Sequence, residues 1–248
     1  MNQSIAAAFE QLSTPEARVA LAPLMALGLG VVLFLLCDVV DFLRPARGPC
    51  FVLALAAAAY AELHILFDER APGLVFEGTY LADRGSALWG LLFLAATLLA
   101  WLVSRGYYRE SRPFLPEHDV LLLTTPIGMM LMVGARDLVV FFVGLELLSI
   151  PLYALCAFRR MRSESVEAGV KYFLLGSFSS ALFLYGTALL YAAAGTLDLG
   201  RLAERDLSTP LALAGLALVA ASLFFKVAVF PFQLWGPDVY QGSPPALT

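Results

Sequence analysis

The sequence predicts an all-α protein that crosses a membrane several times. Of its 248 residues, 60% are hydrophobic and only 15% are charged, whereas soluble domains carry about 25% charged residues. Apolar runs long enough to cross a bilayer follow one another along the chain. The only two lysines, Lys171 and Lys226, both lie outside the loops between these runs. We therefore interpret 1–248 as one membrane domain, a polytopic bundle of helices.

Seven apolar runs are candidate spans, because a spanning helix needs about 20 apolar residues. They lie at about 18–42, 48–67, 83–104, 119–135, 137–158, 167–194 and 210–240. The second run is weakened by Glu62 and His64 near one end. Only Arg136 and Asp137 separate the fourth from the fifth, which predicts a tight turn. Segment 197–206 predicts a short amphipathic helix or turn at the outer surface.

Charged loops predict the orientation of the spans. Arginines gather in the loops after the first, third and fifth spans: Arg44, Arg47, Arg105, Arg109, Arg112, Arg159, Arg160 and Arg162. Opposite loops hold more acids (Asp68, Glu69, Glu77, Asp137, Asp198, Glu204 and Asp206) than arginines (Arg70, Arg136, Arg201 and Arg205). Because cytoplasmic loops carry the excess of basic residues, we expect a multi-pass protein of the bacterial inner membrane with its N-terminus outside.

Several other classes are excluded or unsupported. No basic patch with interleaved aromatic residues suggests nucleic-acid binding. Cys37, Cys50 and Cys156 lie in apolar runs without CxxC spacing, which indicates small buried side chains rather than a metal or redox site. The first residues contain acids and no basic stretch, unlike a cleavable signal.

Glu146 and Lys226 are charges inside apolar runs. A charge at the centre of a bilayer costs at least about 2.5–3.5 kcal/mol, so it persists where it faces a paired or hydrated interior. A carboxylate alone in hydrocarbon would take up a proton, whereas a nearby lysine would keep both groups charged. We expect these two residues to pair, and such a pair would respond to every other charge that approaches, which is the electrostatic behaviour that a proton pump needs. A fixed ion pair that only joins two helices, and a snorkelling Lys226, are the competing interpretations.

A proline follows each of these charges, Pro151 after Glu146 and Pro231 after Lys226. Proline cannot donate the helical hydrogen bond to the carbonyl four residues earlier. In a membrane the freed carbonyl needs water or another polar group, and transporters place such broken helices at hydrated sites. We therefore predict helix breaks at both prolines.

Lys171 begins the sixth run and is the third candidate for proton translocation. Ser177, Ser179 and Ser180 continue a polar face from it, although snorkelling of Lys171 and close helix packing by the serines explain the same pattern. For Glu62 and His64 a relay role competes with a simple place at the membrane interface.

Three segments resemble the antiporter-like subunits of respiratory complex I. GLELLSIPLYAL (144–155) is similar to their fifth span, and EAGVKYFLLGSFSSALFLYG (167–186) to their sixth. FFKVAVFPFQLWGPDVYQGSPPALT (224–248) is similar to their broken seventh span and following loop. Its PDVYQGSP resembles the subunit N branch rather than the L, M or Mrp branches.

The resemblance implies the first part of an inverted-repeat fold, with 1–109 as N-terminal spans and 110–248 as an incomplete first proton-channel repeat. It implies that Lys226 loads protons, that Glu146 modulates it, and that Lys171 occupies a polar position of the sixth span. It also implies a subunit of a proton-translocating NADH:quinone oxidoreductase. NADH, FMN, iron–sulfur clusters and quinone would then bind partner subunits, and no cofactor or metal would bind this chain. The family's eighth span would follow Thr248, so we expect a fragment of a longer chain.

Two other functions remain open at this point. The same Glu146 and Lys226 would serve a cation/proton antiporter subunit of the Mrp kind, which has no link to NADH. A purely structural membrane scaffold would use the pair only to fix helix packing.

Overall fold

Helices form nearly all of the regular structure, as predicted. A computed structural model describes residues 14–68, 71–111 and 116–244, except for the side chains of 108–111. The chain forms two compact units, Met1–Arg136 and Asp137–Thr248. This boundary lies later in the chain than the division at 109/110 that is expected from the sequence. The interpretation of 110–248 as an incomplete proton-channel repeat stays a prediction. Four of the loop charges used for orientation, Glu69, Arg70, Arg112 and the side chain of Arg109, lie outside the described residues.

The first unit is a helical bundle with one small hairpin. It contains α1 (Pro15–Val39), a 3-10 helix (Asp41–Ala46), α2 (Arg47–Phe67), β1 (Gly73–Val75), β2 (Tyr80–Ala82), α3 (Arg84–Ser111) and α4 (Pro116–Gly134). The strands pair antiparallel, with Val75 opposite Tyr80, and the sequence did not predict them. Leu27 of α1, Phe51 of α2 and Leu123 of α4 are fully buried in the core.

The second unit is built around one long helix. It contains α5 (Leu138–Cys156), α6 (Ser163–Ala194), α7 (Leu199–Ala203), α8 (Pro210–Lys226) and α9 (Trp235–Gly242). The 32-residue α6 packs against α5, α8 and α9. The helix or turn predicted within 197–206 is a short helix, α7, and its place at the outer surface stays a prediction.

Local sequence explains where these helices begin and end. The Thr209 hydroxyl accepts a hydrogen bond from the Ala212 N–H, and Pro210 occupies the first turn of α8, where it sacrifices no helical hydrogen bond. Asp198 caps α7 in the same way through the Arg201 N–H. Gly195, with φ of 71°, ends α6 in the left-handed conformation that glycine adopts without strain.

Within the described residues, five stretches are long and apolar enough to cross a membrane. They are Pro15–Val39, Asp41–Phe67, Arg84–Tyr107, Leu138–Cys156 and Ser163–Ala194. The fourth predicted span forms α4, which carries Glu117, His118 and Asp119 in its first turn. The 17-residue α8 is a shorter apolar helix. The chain is thus a multi-pass membrane protein.

The break predicted in the seventh span is confirmed, because the span forms two helices. The helix ends at Lys226, and 227–234 is not helical before α9 begins at Trp235. Pro231 lies inside this interruption, but the interruption begins earlier, at Val227. Pro231 has no N–H for the Val227 carbonyl, and Ala228 takes a positive φ of 51°, so the chain leaves the helix before it reaches the proline.

The helix break predicted at Pro151 is wrong. The helix α5 runs from Leu138 to Cys156 without ending at this residue. One missing hydrogen bond to the Leu147 carbonyl does not end the helix, because packing of α5 against α6 holds the flanking turns.

Candidate functional site

The ammonium group of Lys226 lies at the end of α8 and faces α5. Its Nζ donates hydrogen bonds to Ser149 Oγ at 2.8 Å and to Tyr153 Oη at 3.0 Å. The Glu146 carboxylate oxygen Oε1 lies 3.7 Å from the same nitrogen. Only 11% of the Lys226 side chain and 23% of the Glu146 side chain are exposed. The two charges expected to pair therefore do so within the second unit.

One face of α5 supplies all three partners of Lys226. Glu146, Ser149 and Tyr153 are three and then four residues apart, which places them above one another on a helix. The Ser149 hydroxyl donates to the Leu145 carbonyl at 2.6 Å, so its oxygen lone pair points to Lys226. The ammonium thus meets one charged and two neutral acceptors.

Helix α6 completes the surroundings of the carboxylate. The Ser180 hydroxyl hydrogen-bonds Glu146 Oε1 and also lies 3.0 Å from the Gly176 carbonyl oxygen. Because the hydroxyl has a single proton, it can donate a full hydrogen bond to only one of these two acceptors at a time. The neighbouring Ser179 bonds to Ser222 of α8, with 3.0 Å between the hydroxyl oxygens. Ser179 and Ser180, from the polar face predicted on α6, therefore contact the two helices that carry Lys226 and Glu146.

Small residues of α6 allow this close approach. The Tyr153 ring lies against Gly176, where any β-carbon would overlap the phenol. Near the other end of the interface, a β-carbon on Gly186 would lie 2.8 Å from the Gly215 carbonyl oxygen of α8. Small residues are the usual means of close helix packing in membranes.

Lys171 does not join the Glu146–Lys226 network. Its Nζ lies 2.7 Å from Glu167 Oε1, one turn earlier on α6, and 2.7 Å from Asp238 Oδ2 on α9. Its side chain is 41% exposed. The structure thus gives Lys171 two carboxylate partners of its own, and its predicted role in proton translocation stays a prediction.

Glu62 and His64 belong to the first unit. Glu62 is buried, and its carboxyl fills the space left by Gly90 on α3. His64 is exposed beside a groove lined mainly by alanines of α1 and α2. Among the described residues, no group of three or more histidines, cysteines, aspartates or glutamates is arranged to hold a metal ion.

The second unit carries the signature of a known membrane family. Residues 135–248 match the family described as NADH:quinone oxidoreductase/Mrp antiporter, TM. This stretch contains Glu146, Lys226 and the polar partners described above, Ser149, Tyr153 and Ser180. Residues 135–248 thus resemble this antiporter family, and the match covers slightly less than half of the chain.

Proteins similar to this chain come from respiratory complexes. It is 40% identical to NADH-quinone oxidoreductase subunit N 1 of Symbiobacterium thermophilum, covering 92% of this chain and 48% of that protein. It also resembles a chain of respiratory complex I from Thermus thermophilus with bound aureothin, at 36% identity and a TM-score of 0.74, covering 91% of this chain and 48% of that one.

A third relative belongs to an archaeal respiratory membrane complex, the membrane-bound sulfane sulfur reductase. The identity is 25% and the TM-score is 0.75, covering 94% of this chain and 49% of that one. The chain spans about half the length of the curated relatives it matches.

Sequence reasoning missed several residues around Lys226 and Lys171. Ser149 and Tyr153 could have been found from their spacing after Glu146, because positions three and seven residues later share its helix face. Asp238 and Trp235 gave no such signal, since the Lys171–Asp238 contact joins positions 67 residues apart.

Proposed function

We propose that this chain forms part of a membrane-arm subunit of complex I and takes part in proton translocation driven by NADH oxidation and quinone reduction. The observation that carries the proposal is the Lys226–Glu146 pair, with 3.7 Å between its charged atoms, in a segment of the antiporter family. The similarity to proteins named NADH-quinone oxidoreductase subunit N supports the choice of complex.

In the proposed mechanism Lys226 carries the proton and Glu146 controls its release. A protonated lysine is stabilised by the carboxylate and by the oxygens of Ser149 and Tyr153. When Glu146 moves away, the ammonium loses its charged partner in a medium of low dielectric, which favours release of the proton. Return of the carboxylate favours reloading.

Ser180 is suited to stabilise the separated state. Its hydroxyl donates to Glu146 and also lies near the Gly176 carbonyl, so it can keep donating to the carboxylate when the Lys226 ammonium is no longer close. The buried charge then keeps one hydrogen bond, which lowers the cost of separation.

Substitution of Lys226 in the full-length protein tests the mechanism. We expect Lys226→Ala to lose proton translocation into membrane vesicles, whereas Arg201→Ala, at an exposed position on α7, serves as the control and retains it. Unchanged proton translocation per NADH oxidised in Lys226→Ala would refute the role of Lys226.

A structural scaffold makes a different prediction for the same pair. If the pair only fixes helix packing, Glu146→Gln lowers assembly of the complex but leaves turnover per assembled complex intact. An antiporter subunit without redox partners would purify without flavin and iron–sulfur subunits. We propose that such cofactors, and the quinone, bind partner subunits rather than this chain.

We also propose the orientation expected from the arginines, with the N-terminus outside the cell membrane. The described Arg44, Arg47, Arg105 and Arg159 to Arg162 lie in or beside the connections after α1, α3 and α5. A cysteine introduced at Arg162 should react with impermeant maleimide only in inside-out vesicles.

A further inference from the structure

The short helix α9 packs against α6 through three contacts. Asp238 Oδ2 accepts from Lys171 Nζ at 2.7 Å. The Trp235 ring stacks on the Tyr172 ring, with 4.8 Å between centroids and 11° between planes. Gly242 lies so close to α6 that a β-carbon would be 2.6 Å from the Glu164 carbonyl oxygen. Charge, stacking and close backbone contact thus hold α9 in one position.

Trp235 also connects α9 to the last turn of α8. Its indole Nε1–H donates to the Phe225 carbonyl at 3.0 Å, and its ring lies 5.9 Å from the Phe225 ring. Phe225 immediately precedes Lys226. A hydrogen bond to this carbonyl fixes the backbone that carries the Lys226 side chain.

The end of α8 needs such a connection because the chain leaves the helix there. Ala228 has a φ of 51°, and residues 227–234 supply no further helical turn. In a membrane the final carbonyls of a helix require donors from elsewhere. The Phe225 carbonyl accepts from the Ala228 N–H at 3.1 Å, and the Trp235 indole N–H adds a second donor that belongs to α9.

We propose that α9 is a strap that positions Lys226 for its partners on α5, with Asp238, Lys171 and Trp235 as its positioning residues. The strap runs from the Lys171–Asp238 ion pair on α6 through Trp235 to the Phe225 carbonyl. In this assignment Lys171 acts through α9 and not as a proton carrier. The consequence for pumping rests on the proposed function of Lys226, but the positioning itself can be measured separately.

The two carboxylates beside Lys171 provide a matched pair of variants. Glu167 and Asp238 lie at the same distance, 2.7 Å, from Lys171 Nζ. Glu167 is on α6 itself, whereas Asp238 is on α9, so only Asp238 joins two elements. Asp238→Asn therefore removes the ion pair that joins α9 to α6, whereas Glu167→Gln removes only an ion pair within α6. Each substitution removes one negative charge beside the same lysine.

The position of residue 226 can be followed by its accessibility to a thiol-reactive reagent. In the assembled complex with Lys226→Cys as reporter, N-ethylmaleimide labelling at 226 is quantified by peptide mass spectrometry. We expect Asp238→Asn to raise the labelling rate about two- to fivefold, the factor that an exposed ion pair contributes to a local opening equilibrium. Glu167→Gln should leave the rate within error of the reporter alone.

Trp235→Phe gives a second test, in case Asp238→Asn prevents assembly. It keeps a stacking ring but removes the indole N–H that bonds the Phe225 carbonyl. We expect faster labelling at 226 in this variant as well. Equal rates in Asp238→Asn and Glu167→Gln, or no increase in Trp235→Phe, would overturn the strap.

Pumping measured with lysine retained at 226 separates this inference from the proposed function. Asp238→Asn should reduce proton translocation per NADH, and Asp238→Glu should restore most of it. If Lys226→Ala abolishes pumping but Asp238→Asn labels and pumps like Glu167→Gln, the strap alone is refuted. If Lys226→Ala pumps normally while the labelling pattern holds, the strap stands and the proton-carrying role is refuted.

Discussion

Replacing Gly215 by alanine tests whether close backbone contact between α6 and α8 builds the site. A β-carbon at 215 would lie 2.9 Å from the Gly186 carbonyl oxygen and 3.0 Å from the Leu190 amide nitrogen. Ordinary contacts begin near 3.4 Å, so the helices must separate by roughly half an ångström. The neighbouring atoms are mostly backbone and cannot rotate away.

The expected cost follows from two opposing effects. Overpacking a tight interface costs about 1–3 kcal/mol, and replacing glycine by alanine within a helix returns up to about 1 kcal/mol. We therefore expect Gly215→Ala to lower the free energy of unfolding by about 1 kcal/mol net. Gly28→Ala is the matched control, because a β-carbon at that helical position meets nothing within 4 Å.

Unfolding by SDS titration in mixed micelles measures both variants, together with Gly186→Ala and the Gly186→Ala/Gly215→Ala double variant. Once one alanine has separated the helices, the second finds room, so the two losses should sum to more than the double variant shows. The reasoning is refuted if Gly215→Ala is as stable as Gly28→Ala, or if the two losses add fully.

Three further substitutions test single contacts. Tyr153→Phe removes the 3.0 Å hydrogen bond to Lys226, so proton translocation should slow about two- to tenfold while assembly is retained; an unchanged rate contradicts this. Ser165→Ala leaves the Cys156 carbonyl without its 2.7 Å donor and should cost about 1–3 kcal/mol in SDS titration. Gly90→Ala places a β-carbon against the Glu62 carboxyl and should cost about 1–3 kcal/mol; combining it with Glu62→Ala should recover part of that loss, which a misfolded α3 would not allow.

The charged pair could be predicted from the sequence because an isolated charge in a membrane has few permitted surroundings. Glu146 and Lys226 each had to find a partner, and each was the evident candidate for the other. The helices followed from apolar runs for the same reason, since a bilayer leaves the backbone little choice. These constraints act on single residues or short windows, so one sequence reveals them.

Features set by contacts between distant segments were predicted poorly. The helix α5 continues past Pro151, whereas Pro231 lies in the non-helical segment 227–234. Only the packing around each proline explains this difference. Asp238, one of the two carboxylate partners of Lys171, lies on α9, which no helical periodicity relates to α6. The hairpin at Gly73–Val75 and Tyr80–Ala82 has strands of three residues, too short for an alternating pattern to appear.

The close packing of the small residues of α6 and the pairing of the charges on α5 and α8 depend on each other. Lipid gives helices no hydrophobic reason to associate, so close packing and hydrogen bonds must hold α5 and α8 against α6. Gly176 receives Tyr153, Gly186 meets Gly215, and Ser180 reaches Glu146. Only this close approach keeps the ammonium and carboxylate inside protein instead of lipid, where each would be neutralised or excluded. A loss of packing far from Lys226 should therefore reduce proton translocation as well as stability, because the same contacts maintain the medium in which the two charges interact.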